Sequence, residues 1–235
     1  METVAAGLEA APQNMVPLPR AIFILGHASL KKGYVGKKRK ILDADEDADF
    51  LKRQKQNPDN YRPEIVFQAV KLILDIPLNK NGRVGAIYVK TDEGLLCQIK
   101  PLVRIPRTRN RFCGIILELL EKKCVRATSE PDEKLFETLE GPVTRYLPPN
   151  FRIVGLSYNA DKFVDVRDYV SAVADDVNLA FVMDTTVNGK VNKAETDDYI
   201  SSKFDPKLRN VANYPLSAKY CMGMVCMAFE KKWKL

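Results

Sequence analysis

The chain has 235 residues, and 46% of them are hydrophobic, enough to bury the core of one large domain. Lys+Arg 37 against Asp+Glu 30 leaves a net charge of +7, which favours a polyanionic partner. No run reaches the ~18 apolar residues that a membrane-spanning helix needs. The cysteines (Cys97, Cys113, Cys124, Cys221 and Cys226) form no CxxC pair, so they read as reduced, buried thiols of an intracellular protein rather than a disulfide frame or zinc site.

Residues 1–19 hold Pro12, Pro17 and Pro19 and show no basic region followed by a long apolar one. They read as a flexible leader, not a secretory signal. Arg20 to Gly26 (RAIFILG) is a short apolar run, the pattern of a buried strand. His27 follows as a turn residue; as the only histidine it builds neither a histidine metal cluster nor a conventional triad. Residues 30–60 change character. Basic KKGYVGKKRK gives way to acidic Asp43 to Asp49 (DADEDAD), then to Lys52, Arg53 and Lys55. This predicts a solvated, charged loop, and its split basic clusters suit a nuclear import signal.

Pro63 and Glu64 open a helix, since proline suits the first turn and a carboxylate suits the positive helix end. Its apolar stripe is Ile65, Ala69, Leu72 and Ile73, to about Ile76, and Asn79 to Gly82 form a turn. Val84 to Lys90 and Leu95 to Lys100 flank Thr91-Asp92-Glu93-Gly94, the pattern of a β-hairpin. A helix then runs to about Lys123, and another covers Asp132 to Leu139. Phe151 to Leu156 and Asn178 to Met183 read as core strands, the second ending in the loop Asp184 to Lys190. Lys207 to Ala212 is a further candidate strand. Ser217 caps a final helix whose broad apolar face holds Tyr220, Cys221, Met224, Val225, Met227 and Phe229. That face suits core packing and, at the chain end, a subunit interface. Strands alternating with helices give an α/β class. No P-loop, GxGxxG, serine elbow or metal-ligand cluster appears.

The densest signal is RIPRTRNRFCG at 104–114, with Arg104, Arg107, Arg109 and Arg111 in eight residues. If Pro106 takes the first helical position, Arg107 and Arg111 share a face, Arg104 lies close to it and Arg109 points elsewhere. Three guanidinium forks on one side suit phosphate or a planar polar base; the plain alternative is a solvated basic helix end.

Longer patterns carry a resemblance. Arg62-Pro63-Glu64, Pro77-Leu78-Asn79-Lys80, Arg104 to Gly114, Val125-Arg126-Ala127, Asp165-Val166-Arg167 and Asn213-Tyr214-Pro215-Leu216-Ser217-Ala218 occur in order. From about residue 20 onward the chain resembles the small-subunit ribosomal-RNA pseudouridine methyltransferases of the SPOUT class. The resemblance implies an α/β domain over 20–235, with an inserted β-hairpin/helix extension at 77–104 and a deep trefoil knot with the C-terminal helix at 178–235. It implies a homodimer, S-adenosylmethionine as methyl donor and S-adenosylhomocysteine as product. The reaction would methylate N1 of a pseudouridine in small-subunit ribosomal RNA. A role beside other small-subunit assembly factors in the nucleolus of the nucleus would accompany it, with no membrane contact.

Carried over residue by residue, the resemblance assigns the cofactor to Leu156, to the loop Asp184 to Gly189, and to Val211, Ala212, Asn213, Tyr214, Pro215 and Leu216. Gly189 would permit a close approach. Arg62 and Arg104 would hold phosphates, and Arg107 and Arg111 a base turned out of its stem. Glu64 would accept or orient the N–H proton, with Arg107 stabilising negative charge on the base; the structural alternative is that Glu64 caps its helix and pairs with Arg62.

Three departures from the family stand out. Glu64 replaces the usual aspartate. Asp184 takes the place of the first glycine in the loop after the core strand, where it would either crowd the cofactor or accept from its ribose hydroxyls. Residues 192–209 are longer and more charged than expected. These leave a second function open, an RNA-binding assembly factor with weak or absent transferase activity.

Overall fold

The computed structural model describes residues 18–157, 160–186, 191–202 and 217–235. In chain order it builds β1 (Ala21–Ala28), the hairpin β2 (Lys32–Val35) and β3 (Lys38–Ile41), α1 (Ala48–Arg53), α2 (Pro63–Asp75) and α3 (Pro77–Lys80). There follow β4 (Val84–Thr91), β5 (Leu96–Ile99), α4 (Arg109–Lys122), β6 (Cys124–Arg126) and β7 (Lys134–Leu139). The chain continues through β8 (Phe151–Leu156), β9 (Lys162–Val164), α5 (Val166–Ala172), β10 (Asn178–Asp184), β11 (Asp198–Ser202) and α6 (Ala218–Trp233).

Among the described residues, nine strands form one sheet in the order β6-β7-β5-β4-β1-β10-β8-β11-β9. From β4 to β9 every pairing is parallel; β5, β7 and β6 extend the sheet antiparallel. A parallel centre must be covered on both faces, and β1 shows how the sequence meets that demand. Ala21, Phe23 and Leu25 enter the cluster under α2, α5 and α6, while Ile22 and Ile24 join Tyr88, Leu96 and Ile153 on the other face. Strand β10 follows suit, and its Phe181 meets Phe229 of α6 edge to face at 5.8 Å.

Helix α6 is capped as its sequence suggests, with Ser217 Oγ accepting from the Tyr220 N–H at 3.3 Å. Its buried face differs from the expected one. Met222, Val225, Cys226 and Phe229 are buried, together with Met224, whereas Tyr220 and Met227 are exposed. Spacing of three and four residues from Met222 selects that stripe. At its far end Lys232 donates to the carbonyls of Val170 and Val173 and pairs with Asp175, fastening α6 to the end of α5.

Two other expectations fail. The segment expected as a helix over Asp132 to Leu139 forms strand β7 (Lys134–Leu139) instead, because Phe136 inserts into the core while the backbone pairs with β5 and β6 on either side. The charged stretch 30–60 is a hairpin, a helix and an ordered acidic turn in place of a solvated loop. The 84–99 hairpin exists, but β4 and β5 belong to the main sheet. The described part of the long charged segment, 192–202, supplies β11, which lies between β8 and β9. Residues 203–209 and the candidate strand Lys207 to Ala212 lie outside the described residues, as do residues 1–17 of the leader.

The cysteines are free thiols. Burial pushes Cys97, Cys113 and Cys221 up to about 11 and Cys226 well above the ordinary thiol range. Thiolate is the reactive form, so these four are expected to react with maleimide at pH 7 far more slowly than free cysteine; rapid labelling of the native protein would contradict the packing.

Candidate RNA and cofactor site

The amino ends of α2 and α4 lie side by side. Phe67, one turn into α2, packs on Phe112, one turn into α4, with ring centroids 5.3 Å apart. Helix α2 starts at the carboxyl edge of the parallel strands, because it must return to the opposite edge before β4, where the Arg83 carbonyl accepts from the Ala21 N–H at the start of β1. The short α3 carries the PLNK pattern. Its Asn79 is fully buried, donates to the Leu74 carbonyl at 3.0 Å and accepts from the Leu102 N–H at 3.4 Å. The segment leading into the arginines is therefore tied to the end of α2.

The acidic turn performs the second tie. Arg109 meets Asp43 at 3.1 Å, Asp45 at 3.1 Å and Glu46 at 3.7 Å. Asp43 is 3% exposed. Its Oδ1 accepts the N–H groups of Asp45 and Glu46, while Asp47 accepts the N–H of Asp43 and pairs with Lys40 at 3.0 Å. Charges that looked solvated in sequence find partners sixty residues away. The turn also lies near Arg62, whose charged form gains from Glu64 first and from Asp45 and Asp59 further out. Arg109 thus points away from its neighbours, as its spacing suggested, and the acidic turn links both helix starts.

Helix α4 begins at Arg109 with Thr108 in an extended conformation as its N-cap, not at Pro106. Arg107 therefore precedes the helix, and the expected i,i+4 face with Arg111 is absent. A β-branched residue favours the extended N-cap geometry, and the clamp on Arg109 together with burial of Phe112 fixes the first turn from there. Arg104, Arg107 and Arg111 remain exposed and make no ion pair with any described residue.

Glu64 does not cap α2. Its Oε1 accepts a short hydrogen bond from Arg62 Nε. Its Oε2 is buried and has no hydrogen-bond partner among the described residues. A buried carboxylate oxygen without a donor is costly, and it lies in the first turn of α2, the helix that packs beside the start of α4.

The expected cofactor side lies where β8 and β10 end. Leu156 is buried at the end of β8. Asp184 ends β10, and its Oδ1 accepts from Thr186 N–H at 2.8 Å and Thr186 Oγ at 2.7 Å. Its Oδ2 lies 2.6 Å from His27 Nδ1. Both oxygens are engaged, Oδ1 by Thr186 and Oδ2 by His27. His27 is not a turn residue beyond β1. It lies inside the strand with φ 48°. Gly189, Val211, Ala212, Asn213, Tyr214, Pro215 and Leu216 lie outside the described residues. The His27–Asp184 pair and the clamp on Arg109 escaped the sequence reading; the signals that could have found them are a lone histidine ending a core strand and an acidic run matched by a distant arginine run.

Comparison with known proteins gives the family. Residues 5–230 match the family model described as EMG1/NEP1 methyltransferase. The chain is 34% identical over 214 residues to mouse "Ribosomal RNA small subunit methyltransferase NEP1", covering 91% of this chain and 82% of that protein. It is 34% identical over 220 residues to the human protein of the same name, covering 94% and 84%. The crystal structure of Archaeoglobus fulgidus Nep1 bound to S-adenosylhomocysteine shares the fold, with a TM-score of 0.69 at 19% identity over 92% of this chain and 100% of that one. The chain belongs to the EMG1/NEP1 methyltransferase family.

Proposed function

We propose that this protein methylates N1 of a pseudouridine in small-subunit ribosomal RNA, using S-adenosylmethionine. The observation that carries the reading is the juxtaposition of exposed, uncommitted arginines with a buried, unpartnered carboxylate oxygen at one pair of helix starts. The names of the mouse and human relatives support the substrate class, and the bound product in the archaeal neighbour supports the cofactor.

In this reading Arg62 and Arg104 hold phosphates, while Arg107 and Arg111 hold the extruded base and disperse charge as it develops. Glu64 Oε2 accepts a hydrogen bond from the base, which removes the cost of leaving that oxygen buried without a donor. The cofactor, when bound, supplies an activated methyl group on a sulfonium. The described strand ends fit it: Leu156 is apolar, and the Asp184 carboxylate is turned onto His27 and Thr186 instead of lying loose. The loops after Leu156 and Asp184, with Gly189 and residues 211–216, hold it largely through main-chain groups. Asp184 so satisfied favours the enzyme over an assembly factor without transferase activity.

The same reading includes a deep trefoil knot in 178–235, a homodimer using the exposed Tyr220 and Met227 of α6, a nucleolar location and work beside other small-subunit assembly factors.

Titration calorimetry with S-adenosylhomocysteine, followed by methyl transfer to a pseudouridine-containing stem-loop, tests the reaction. Saturable binding near one site per chain and transfer dependent on pseudouridine are expected; folded protein that binds RNA and no cofactor points to the assembly factor. Arg104→Ala is expected to flatten the dependence of log K on log salt by about 0.7, the value for one phosphate contact on a single strand. An unchanged slope removes Arg104 from the RNA path.

A further inference from the structure

His27 is built as a proton acceptor would be built. A carboxylate can only accept, so the 2.6 Å contact with Asp184 Oδ2 requires His27 Nδ1 to carry the proton. The neutral ring then presents Nε2 as a lone-pair acceptor. Asp184 is itself fixed, 7% exposed and bonded twice through Thr186, while the His27 side chain is 55% exposed. A buried acid that holds the tautomer of an accessible imidazole is the arrangement that makes histidine a general base.

The backbone points the same way. The register between β1 and β4 slips between Leu25 and Ala28, and His27 takes φ 48° within that irregularity. A bulge re-aims a side chain, and a non-glycine residue in the left-handed region costs free energy. The junction is otherwise tightly made, since the Gly26 carbonyl accepts both the Thr185 N–H at 2.9 Å and its Oγ at 2.8 Å. The strained residue therefore lies in an ordered setting.

The topology supplies the place. After β1 the chain leaves for β4 on one side; after β10 it leaves for β11 on the other. Neighbouring parallel strands whose connections part in this way open a crevice at their carboxyl ends, where ligands bind in open α/β sheets. Asp184 ends β10, and His27 is one residue from the end of β1. Helix α2 starts at the same edge, and Lys31 reaches the ring of Tyr61, beside Arg62, at 5.4 Å. The other charged groups around this end of β1 are Lys31, paired with Asp92 at 2.9 Å, and Glu93.

We propose that His27, oriented by Asp184, is the catalytic base that takes the proton from the ring N–H of the target base. The proposal rests on the methyltransferase reading above. In the step, the ring nitrogen forms a bond to the methyl carbon while the carbon–sulfur bond breaks, and that electron pair stays on sulfur, giving a neutral thioether. The N–H bond breaks, its pair remains on nitrogen, and the proton joins the Nε2 lone pair. The imidazolium is balanced by Asp184 and returns the proton to water. Glu64 orients the base, and His27 removes the proton.

The test uses His27→Gly and His27→Asn, both of which tolerate the left-handed backbone. Single-turnover methyl transfer to the pseudouridine stem-loop is measured from pH 5 to 9, beside S-adenosylhomocysteine and RNA binding. Loss of general-base catalysis is expected to slow transfer by about 10² to 10⁴-fold, with both affinities within threefold of the parent. Added imidazole should restore part of the rate of His27→Gly. A rate within threefold of the parent overturns the proposal. So does loss of cofactor affinity in step with rate, which makes His27 a prop for the cofactor loop. A parent protein that binds S-adenosylhomocysteine and RNA yet transfers no methyl group overturns the functional reading itself; variants failing the criteria beside an active parent overturn only the role of His27.

Discussion

Arg109→Ala is expected to lower stability by about 2 to 3 kcal/mol and to weaken RNA binding, although Arg109 faces away from the other arginines. The first effect follows from Asp43, which is 3% exposed. Removing one partner of a buried ion pair typically costs about 3–5 kcal/mol; Arg109 is a quarter exposed, which moves the expectation below that range. Asp45 and Glu46 are more exposed and add little. The second effect follows from position. Arg109 opens α4, so loosening it frees Arg107 on one side and Arg111 on the other from the geometry in which they wait for a ligand. Arg109→Lys keeps the charge but loses the planar fork that reaches several carboxylates, so it should recover only part of either loss. Urea unfolding and RNA titration measure both. A variant with unchanged urea midpoint and unchanged RNA affinity shows that the clamp is ornamental.

The same clamp gives an acid dependence with a definite sign. Hydrogen bonding from Lys40 first, against the opposing effect of burial, holds the Glu46 carboxyl below its ordinary 4.5, with Arg109 adding a smaller pull. A depressed folded value stabilises the protein above the unfolded value and is lost as pH falls through the folded one. Asp198 behaves alike, held down chiefly by the hydroxyl of Tyr169 at 2.6 Å. Stability should therefore be flat above about pH 5 and fall below pH 4.5, with the Tyr169→Phe variant losing less on acidification.

What the sequence revealed follows the range of the forces involved. Strand β1 is legible because an apolar run covered on both faces is a local pattern. The start of α2 is legible because Pro63 and Glu64 act within one turn, and the start of α6 because Ser217 bonds three residues away. The acidic turn was misread because a carboxylate run declares its charge but not its partner; Lys40 and Arg109 come from elsewhere. Residues 134–139 were misread because a six-residue strand inside a sheet is decided by its neighbours. The start of α4 moved from Pro106 to Arg109 for a similar reason. Of the site, the arginines and Glu64 were found by pattern and resemblance, while the pairing of His27 with Asp184 needed the register that sets Gly26 beside Asp184.

Glu64→Gln is expected to cost about 10²-fold in methyl transfer while leaving stability within about 1 kcal/mol of the parent. In the folded protein Oε1 serves Arg62, and Oε2 is buried with no donor among the described residues. The amide keeps an oxygen for Arg62 but puts an NH2 group where Oε2 lies. A site that offered an acceptor to the N–H of a base then confronts it with a donor, and the mismatch appears only when the base arrives. The free protein exchanges an unsatisfied acceptor for an unsatisfied donor and an ion pair for a weaker hydrogen bond, changes that largely offset. Glu64→Asp makes the opposite test: it keeps the charge and the acceptor but withdraws them by one methylene, so it should be far less damaging than the amide. If both variants lose stability and rate together, Glu64 is a support for Arg62 and nothing more. If Glu64→Gln alone loses rate and imidazole still rescues His27→Gly but not Glu64→Gln, the orienting acceptor and the proton acceptor are different residues, the division of labour assigned to Glu64 and His27.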